Sequence, residues 1–186
     1  MDRPKPVIVY CSQTGFTKRY ADWLAEEYGC RAIPFKERKA ADIENASVVI
    51  FCSWFHAGGL KGAKWLKGML TEYPEKHFVV VGCGAYPMPS EKWPQSEINE
   101  AFEKSLSCSV HPNVECFYCQ GGFNFDGLGT PDKVAMRMFF KMLEKKREDD
   151  PRNAEVLETM RGGFDGTDRK NLETAIEHIN SIITTK

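Results

Sequence analysis

The residues with the greatest chemical capacity stand close to the start of the chain, in Ser12-Gln13-Thr14-Gly15-Phe16-Thr17. An apolar run, Val7 to Cys11, precedes them and reads as a buried strand. After them, Phe16, Tyr20, Trp23, Leu24 and Glu27 recur at the spacing of one helix face, and Gly29 is placed to end that helix. A strand that turns into a helix offers unpaired N–H groups and a partial positive charge at the helix start. Ser12, Thr14 and Thr17 add hydroxyl donors, and Gly15 lets a ligand approach the backbone. That set suits a phosphate monoester. It is not a Walker A loop, because Phe16-Thr17 follows Gly15 where Lys-Ser/Thr is required. It is not a dinucleotide fingerprint either, because three spaced glycines are required and one is present. Taken alone, the same residues also describe an ordinary Ser/Thr-capped helix.

Two further stretches follow strand-like runs. Ser53-Trp54-Phe55-His56-Ala57-Gly58-Gly59 comes after Ser47–Cys52, and Gly82-Cys83-Gly84-Ala85-Tyr86-Pro87 ends the run His77–Gly82. Both read as loops that set aromatic rings among small residues. His56 can donate a hydrogen bond or relay a proton, since imidazole changes charge near neutral pH; a solvated loop histidine is the other reading. His77, His111 and His178 show no ligand spacing, so no metal is expected.

Cysteines number seven, an odd count at irregular spacing, which reads as reduced thiols of a cytoplasmic protein. Cys116-Phe117-Tyr118-Cys119 matches C-x-x-C but falls within a predicted strand, where positions i and i+3 point to opposite faces. Cys11, Cys52, Cys83 and Cys119 each fall at the carboxyl end of a predicted strand. They read as small core residues, or as thiols open to oxidation beside a ligand.

The elements that position these loops alternate. Strands are expected at Val7–Cys11, Cys30–Pro34, Ser47–Cys52, His77–Gly82 and Val114–Cys119. Helices are expected through Phe16–Glu27, Leu60–Leu70, Ile98–Leu106 with Ser96 as its cap, and Leu172–Ile183. Strands alternating with helices imply parallel pairing through right-handed crossovers, in an open α/β sheet covered on both sides. In such sheets ligands bind outside the carboxyl ends of the strands.

The pattern S/T-x-T-G-x-T after the first strand resembles the phosphate-binding signature of flavodoxins. The resemblance covers Pro6 to about residue 120 and the last helix. It implies an α/β, flavodoxin-like three-layer sandwich whose five-stranded parallel sheet has the order 2-1-3-4-5. It also implies FMN as cofactor, with Ser12, Gln13, Thr14, Gly15, Phe16 and Thr17 around the phosphate. By the same resemblance the loops after strands three and four hold the flavin ring. Trp54 or Phe55 would cover one face and Tyr86 the other, with Ser53 and His56 beside them. Ala57, Gly58 and Gly59 would supply a peptide able to flip toward ring N5, and backbone groups of Gly82, Cys83, Gly84 and Ala85 would meet the polar ring edge. The chemistry implied is reversible reduction at N5, with no catalytic acid or base assigned.

Residues 121 to about 165 interrupt the pattern before the last helix. Gly121-Gly122-Phe123-Asn124-Phe125-Asp126 opens as a loop. Thr130 as N-cap and Pro131 at the first position start a helix expected to reach Arg147; Asp150-Pro151 starts a shorter one that Gly162-Gly163 stops. This segment looks like the branch of flavodoxin domains related to quinone-dependent protoporphyrinogen dehydrogenases. It reads as a helical insertion within one domain, 1–186. Apolar residues from Val134 to Leu143 span roughly 240° of the helix, against the stripe of about 100° that a docked helix needs, with Lys133, Arg137 and Lys141 opposite. The helix 131–147 is covered by its own chain, or it meets a second copy, a partner protein or a membrane surface.

Composition closes the bounds. The chain has 186 residues, one domain's length, with a net charge of −1. That balance excludes an electrostatically driven nucleic-acid binder. Apolar runs are strand-sized, so no transmembrane segment is expected, and the polar amino terminus lacks a signal-peptide core. Carrier flavodoxins are strongly acidic, and this chain is not. The expected function is therefore an FMN-dependent oxidoreductase acting with an organic or quinone-type partner. The alternatives are a one-electron carrier docking with redox proteins and a non-redox interaction module.

Overall fold

The computed structural model describes residues 5–184. Two compact units emerge, one of residues up to Gly121 together with those from Thr167 onward, the other Gly122–Gly166.

The first unit is built on strands β1 (Val7–Tyr10), β2 (Ala32–Pro34), β3 (Val49–His56), β4 (Gly59–Leu60), β5 (Phe78–Gly84) and β6 (Val114–Gln120). The order β2-β1-β3-β5-β6 is parallel throughout, and the short β4 folds back antiparallel on β3. With β4 set aside, this is the 2-1-3-4-5 order expected. Its helices are α1 (Phe16–Tyr28), α2 (Ala63–Glu72), α3 (Gln95–Leu106) and, at the end of the chain, α6 (Glu173–Thr184). Alternation along the strands splits the core. Ile8, Ile50, Cys52, Val79 and Val81 pack with α1 and α6, while Val9, Val49, Phe51 and Val80 pack with α2 and α3. Near-continuous apolar strands are therefore what a sheet covered on both faces requires.

Several boundaries differ from the sequence expectation. Strand β3 runs four residues past Cys52 to His56, and β5 runs to Gly84. Leu60 belongs to β4, and α2 starts after Gly62, whose φ of 76° only glycine adopts readily. Ser96 lies inside α3, and the cap position is taken by Pro94, whose backbone is extended with ψ 140°.

The second unit contains β7 (Gly122–Phe123), α4 (Thr130–Lys145), α5 (Pro151–Gly162) and β8 (Phe164–Asp165), with β7 and β8 paired antiparallel. The cap of α4 is Gly129, so Thr130 lies in the first turn, and the helix ends two residues short of Arg147. Asp150 caps α5 by accepting from the Arg152 N–H, as its position before Pro151 predicts. Phe140 of α4 packs on Phe123 and Phe125, and the Lys133 and Arg137 cations lie over the Phe125 ring at 5.9 and 5.6 Å. The large apolar residues that are exposed form a narrower stripe than the sequence arc: Val134 (50%), Met138 (68%) and Met142 (43%), one turn apart.

Candidate functional site

Strand β1 ends at Tyr10, and residues 11–15 turn the chain into α1. Gly15 makes the turn with φ 96°, a left-handed value, and nothing lies within 4 Å of where a Cβ would be. Ser12 Oγ accepts from the Gly15 N–H at 3.2 Å. No side chain caps α1, and its first turn holds no acidic residue. The N–H groups of Phe16, Thr17 and Lys18 thus have no helical acceptor and no competing carboxylate in that turn. Thr17 is buried, Thr14 is half-buried and Gln13 is exposed. Phe16 packs into the core on the α1 side. Lys18 is paired with Asp22 at 2.6 Å, and Arg19 reaches Thr167.

The second stretch is a hairpin. Ala57 and Gly58, with φ of 49° and 74°, form a two-residue turn in which both central residues are left-handed, the form that matches strand twist. Leu60 N–H donates to Ser105 Oγ on α3 at 3.0 Å, so the outer edge of β4 is anchored. Alternation along β3 separates the two candidate rings. Phe55 packs against Phe102 at 5.0 Å and Tyr118 at 6.3 Å, inside the α3 side. Trp54 points the other way, and its indole bonds the Cys11 thiol at the end of β1. His56 meets Trp54 edge-on at 5.0 Å, and the Lys61 ammonium stands 5.7 Å from the Trp54 ring centre. Ser53 Oγ donates to Lys61 O at 2.6 Å, and Lys61 N–H donates to Trp54 O at 3.0 Å. Burial pushes the Cys11 thiol up, opposed by the Trp54 bond and the Lys61 charge.

The third stretch is only partly a loop. Gly82 and Cys83 are paired on both sides, with Ser53 and Trp54 of β3 and with Tyr118 and Cys119 of β6. Their backbone sits inside the ladder. The loop begins at Ala85. Tyr86 donates from its hydroxyl to Glu97 Oε2 at 2.6 Å and packs edge-on against Trp93 at 4.9 Å. Tyr118 donates to Tyr86 O at 2.5 Å, which fixes where this loop leaves the sheet.

The carboxyl ends of β1 and β3 thus bring together Ser12, Thr14, Gly15, Thr17 and Trp54, joined by Lys61. Two contributors escaped sequence reading. Lys61 stood inside an expected helix, and only the turn signal Ala57-Gly58-Gly59 hinted that it would fold back. Gly121 donates to Gly84 O at 2.7 Å, and a Cβ there would meet Cys83 Sγ at 2.5 Å and Phe16 Cβ at 3.5 Å. It closes the end of β6 against the start of α1. Its signal was the Gly121-Gly122 pair at a strand end.

Of the four cysteines at predicted strand ends, Cys52, Cys83 and Cys119 are buried in the core, and burial raises the thiols of Cys52 and Cys119. The C-x-x-C pair is split, Cys116 lying with the α2–α3 side and Cys119 with the α1–α6 side. Among the described residues, no three His, Cys, Asp or Glu side chains gather as a metal site, and no helix is long and apolar enough to cross a membrane.

The chemistry of the first turn fits a phosphate: an uncapped helix start, hydroxyls on both sides of Gly15 and open space beside it. A family model of the flavodoxin domain matches residues 7–150. No curated protein matches the chain. Among solved structures, the chain is similar to the flavodoxin, WrbA-like protein from Agrobacterium tumefaciens, at 15% identity over 84% of this chain and 97% of that one, with a TM-score of 0.38. It is similar to the Trp repressor binding protein from Bacillus subtilis at 14% identity, over 63% of this chain and 85% of that one, with a TM-score of 0.39. The flavodiiron protein from Giardia intestinalis is 18% identical over 60% of this chain and 30% of its own, with a TM-score of 0.35. The fold is flavodoxin-like by its strand order, and a flavodoxin domain implies flavin binding. The family model spans well over half of the sequence, from β1 to the residue before α5, and the chain belongs to the flavodoxin-domain family.

Proposed function

We propose that this protein is an FMN-binding oxidoreductase that exchanges electrons with an organic or quinone-type partner. The observation that carries the reading is the first turn of α1. It has no side-chain cap and no first-turn carboxylate, and it opens through a left-handed glycine with clear space beside it. Ser12, Gln13, Thr14, Gly15, Phe16 and Thr17 hold the phosphate through N–H and hydroxyl donors. Trp54 offers a ring face and excludes water there, worth about 0.5–1.5 kcal/mol beyond buried area. Lys61 adds positive charge on the same side. Tyr86, tied to Glu97 and Trp93, borders the site from the loop after β5. Bound there, FMN supplies the one- or two-electron chemistry of its ring. The net charge of −1 supports a small-molecule partner over steered docking with a basic redox protein.

The test is a titration of flavin-free protein with FMN, read by quenching of flavin fluorescence, with riboflavin in parallel. FMN is expected to bind at least about tenfold more tightly, since charge-assisted hydrogen bonds contribute about 1.5–3 kcal/mol each. Gly15→Ala, which introduces strain at φ 96° without a steric clash, is expected to weaken FMN and leave riboflavin nearly unchanged. Equal affinity for the two flavins would show that this turn does not hold the phosphate.

A further inference from the structure

Cys108 begins a short 3-10 turn, Cys108–Val110, that leaves α3, and Cys116 is the third residue of the edge strand β6. Their sulfurs lie 3.4 Å apart, with one thiol hydrogen-bonded to the other. Both residues are half-buried. Cys116 pairs with Val80 in the middle of the ladder, four residues short of Gln120 at the strand's carboxyl end, so the pair is away from the turn proposed to hold flavin phosphate. The C-x-x-C spacing points to Cys119, which β6 turns to the opposite face. The spatial partner of Cys116 is eight residues upstream.

Two thiols already in contact are the reduced form of a dithiol. To bond, the sulfurs must close from 3.4 Å to about 2.05 Å. We propose that Cys108 and Cys116 form a redox site that a peroxide closes to an intramolecular disulfide. The Cys108 thiolate attacks one peroxide oxygen, the O–O bond breaks, and the departing hydroxide takes a proton to become water. Cys108 is left as a sulfenic acid. Cys116 loses its proton and attacks the Cys108 sulfur, the S–O bond breaks, and a second water leaves. The two thiols lose two protons and two electrons, and the peroxide gains them.

The order of attack follows from the surroundings. The hydrogen bond between the two thiols lowers the Cys108 thiol, while the same bond, then burial, raise Cys116. Glu103 and Glu115 oppose ionisation of Cys108. Glu103 is held there by the Ser109 N–H at 3.0 Å and the Ser109 hydroxyl at 2.7 Å. These carboxylates favour a neutral oxidant over an anionic one. The disulfide closes a short loop and ties the exit of α3 to the sheet edge.

The test uses the full chain, reduced and desalted, treated with hydrogen peroxide, then alkylated, digested and mapped by mass spectrometry. The expected product is a Cys108–Cys116 cross-link, lighter by the mass of two hydrogens and reversed by dithiothreitol, formed before any other cysteine changes. Independent alkylation of both thiols after peroxide treatment, or sulfinic acid at Cys108 without a cross-link, would overturn the proposal. In Cys116→Ser the reaction is expected to stop at the sulfenic acid, which dimedone traps and which wild type does not accumulate. Equal trapping in both proteins would sink the resolving role of Cys116. If that variant fails to fold, the wild-type map decides.

Discussion

Tyr20 shows what one side chain contributes. Its ring is fully buried between α1 and the sheet, edge-on to Trp23 at 5.4 Å. Its hydroxyl donates to Gln120 O at 2.5 Å and accepts from Asn171 Nδ2 at 2.8 Å and the Asp168 N–H at 3.3 Å. One oxygen thus joins α1, the end of β6 and the turn that leads into α6. Tyr20→Phe keeps the buried ring and leaves those three groups short of a partner. It is expected to lower stability by about 1–3 kcal/mol, read as a lower urea midpoint with unchanged slope. The sequence showed Tyr20 as an apolar position on a helix face, and it is one. Its polar role was hidden because the partners lie 100 to 151 residues away. The turn through Ser12, Thr14, Gly15 and Thr17 into α1 was legible for the opposite reason: a strand-to-helix turn is local, so spacing alone displays it.

At the scale of elements, Gly82 explains both a misplaced strand end and a packing constraint. Glycine ordinarily weakens a strand, so Gly82 and Gly84 read as the start of a loop. In the sheet, a Cβ on Gly82 would stand 2.5 Å from Phe102 and 2.7 Å from Phe55, and the strand continues because two rings fill the glycine's vacant side. Gly82→Ala is expected to cost about 1–3 kcal/mol by overpacking. Phe102→Leu added to it should recover part of that loss, and a urea double-mutant cycle would show coupling between the positions. The extension of β3 had a similar cause. Ser53, Trp54 and Phe55 pair with β5 or with β4, a register that no local pattern displays. Element types and order were legible, because apolar periodicity is set by which face is buried. Ends were not, because they depend on neighbours.

Across the whole molecule, burial sets the response to alkali. Burial raises the hydroxyls of Tyr20 and Tyr118 and the thiols of Cys52 and Cys119, and Tyr28 is pushed up to about 12. All are neutral in the fold. As pH rises past the ordinary thiol value of 9.0 and phenol value of 10.0, the unfolded chain releases these protons first. Stability present below pH 9 is therefore lost above it, for Tyr28 between about 10 and 12. Urea midpoints at pH 7.5 and 10.5 check this, and the midpoint at pH 10.5 should be the lower. The helical segment before the last helix was legible from its loop opening, its prolines at the helix starts and the Asp150 cap, whereas Thr130 proved to lie inside α4. The β7–β8 pair was not, since two-residue strands carry no period. The segment also affects the order of synthesis. Leu172, Ala175, Ile179 and Ile182 cover the same core as Ile8, Ile50 and Val81, yet Gly122–Gly166 must be translated before them. For the seconds that this takes on a ribosome, a sheet with all its parallel strands already made waits with one apolar flank bare. Until the last helix docks, that flank is open to mispairing and aggregation, and its arrival closes the core.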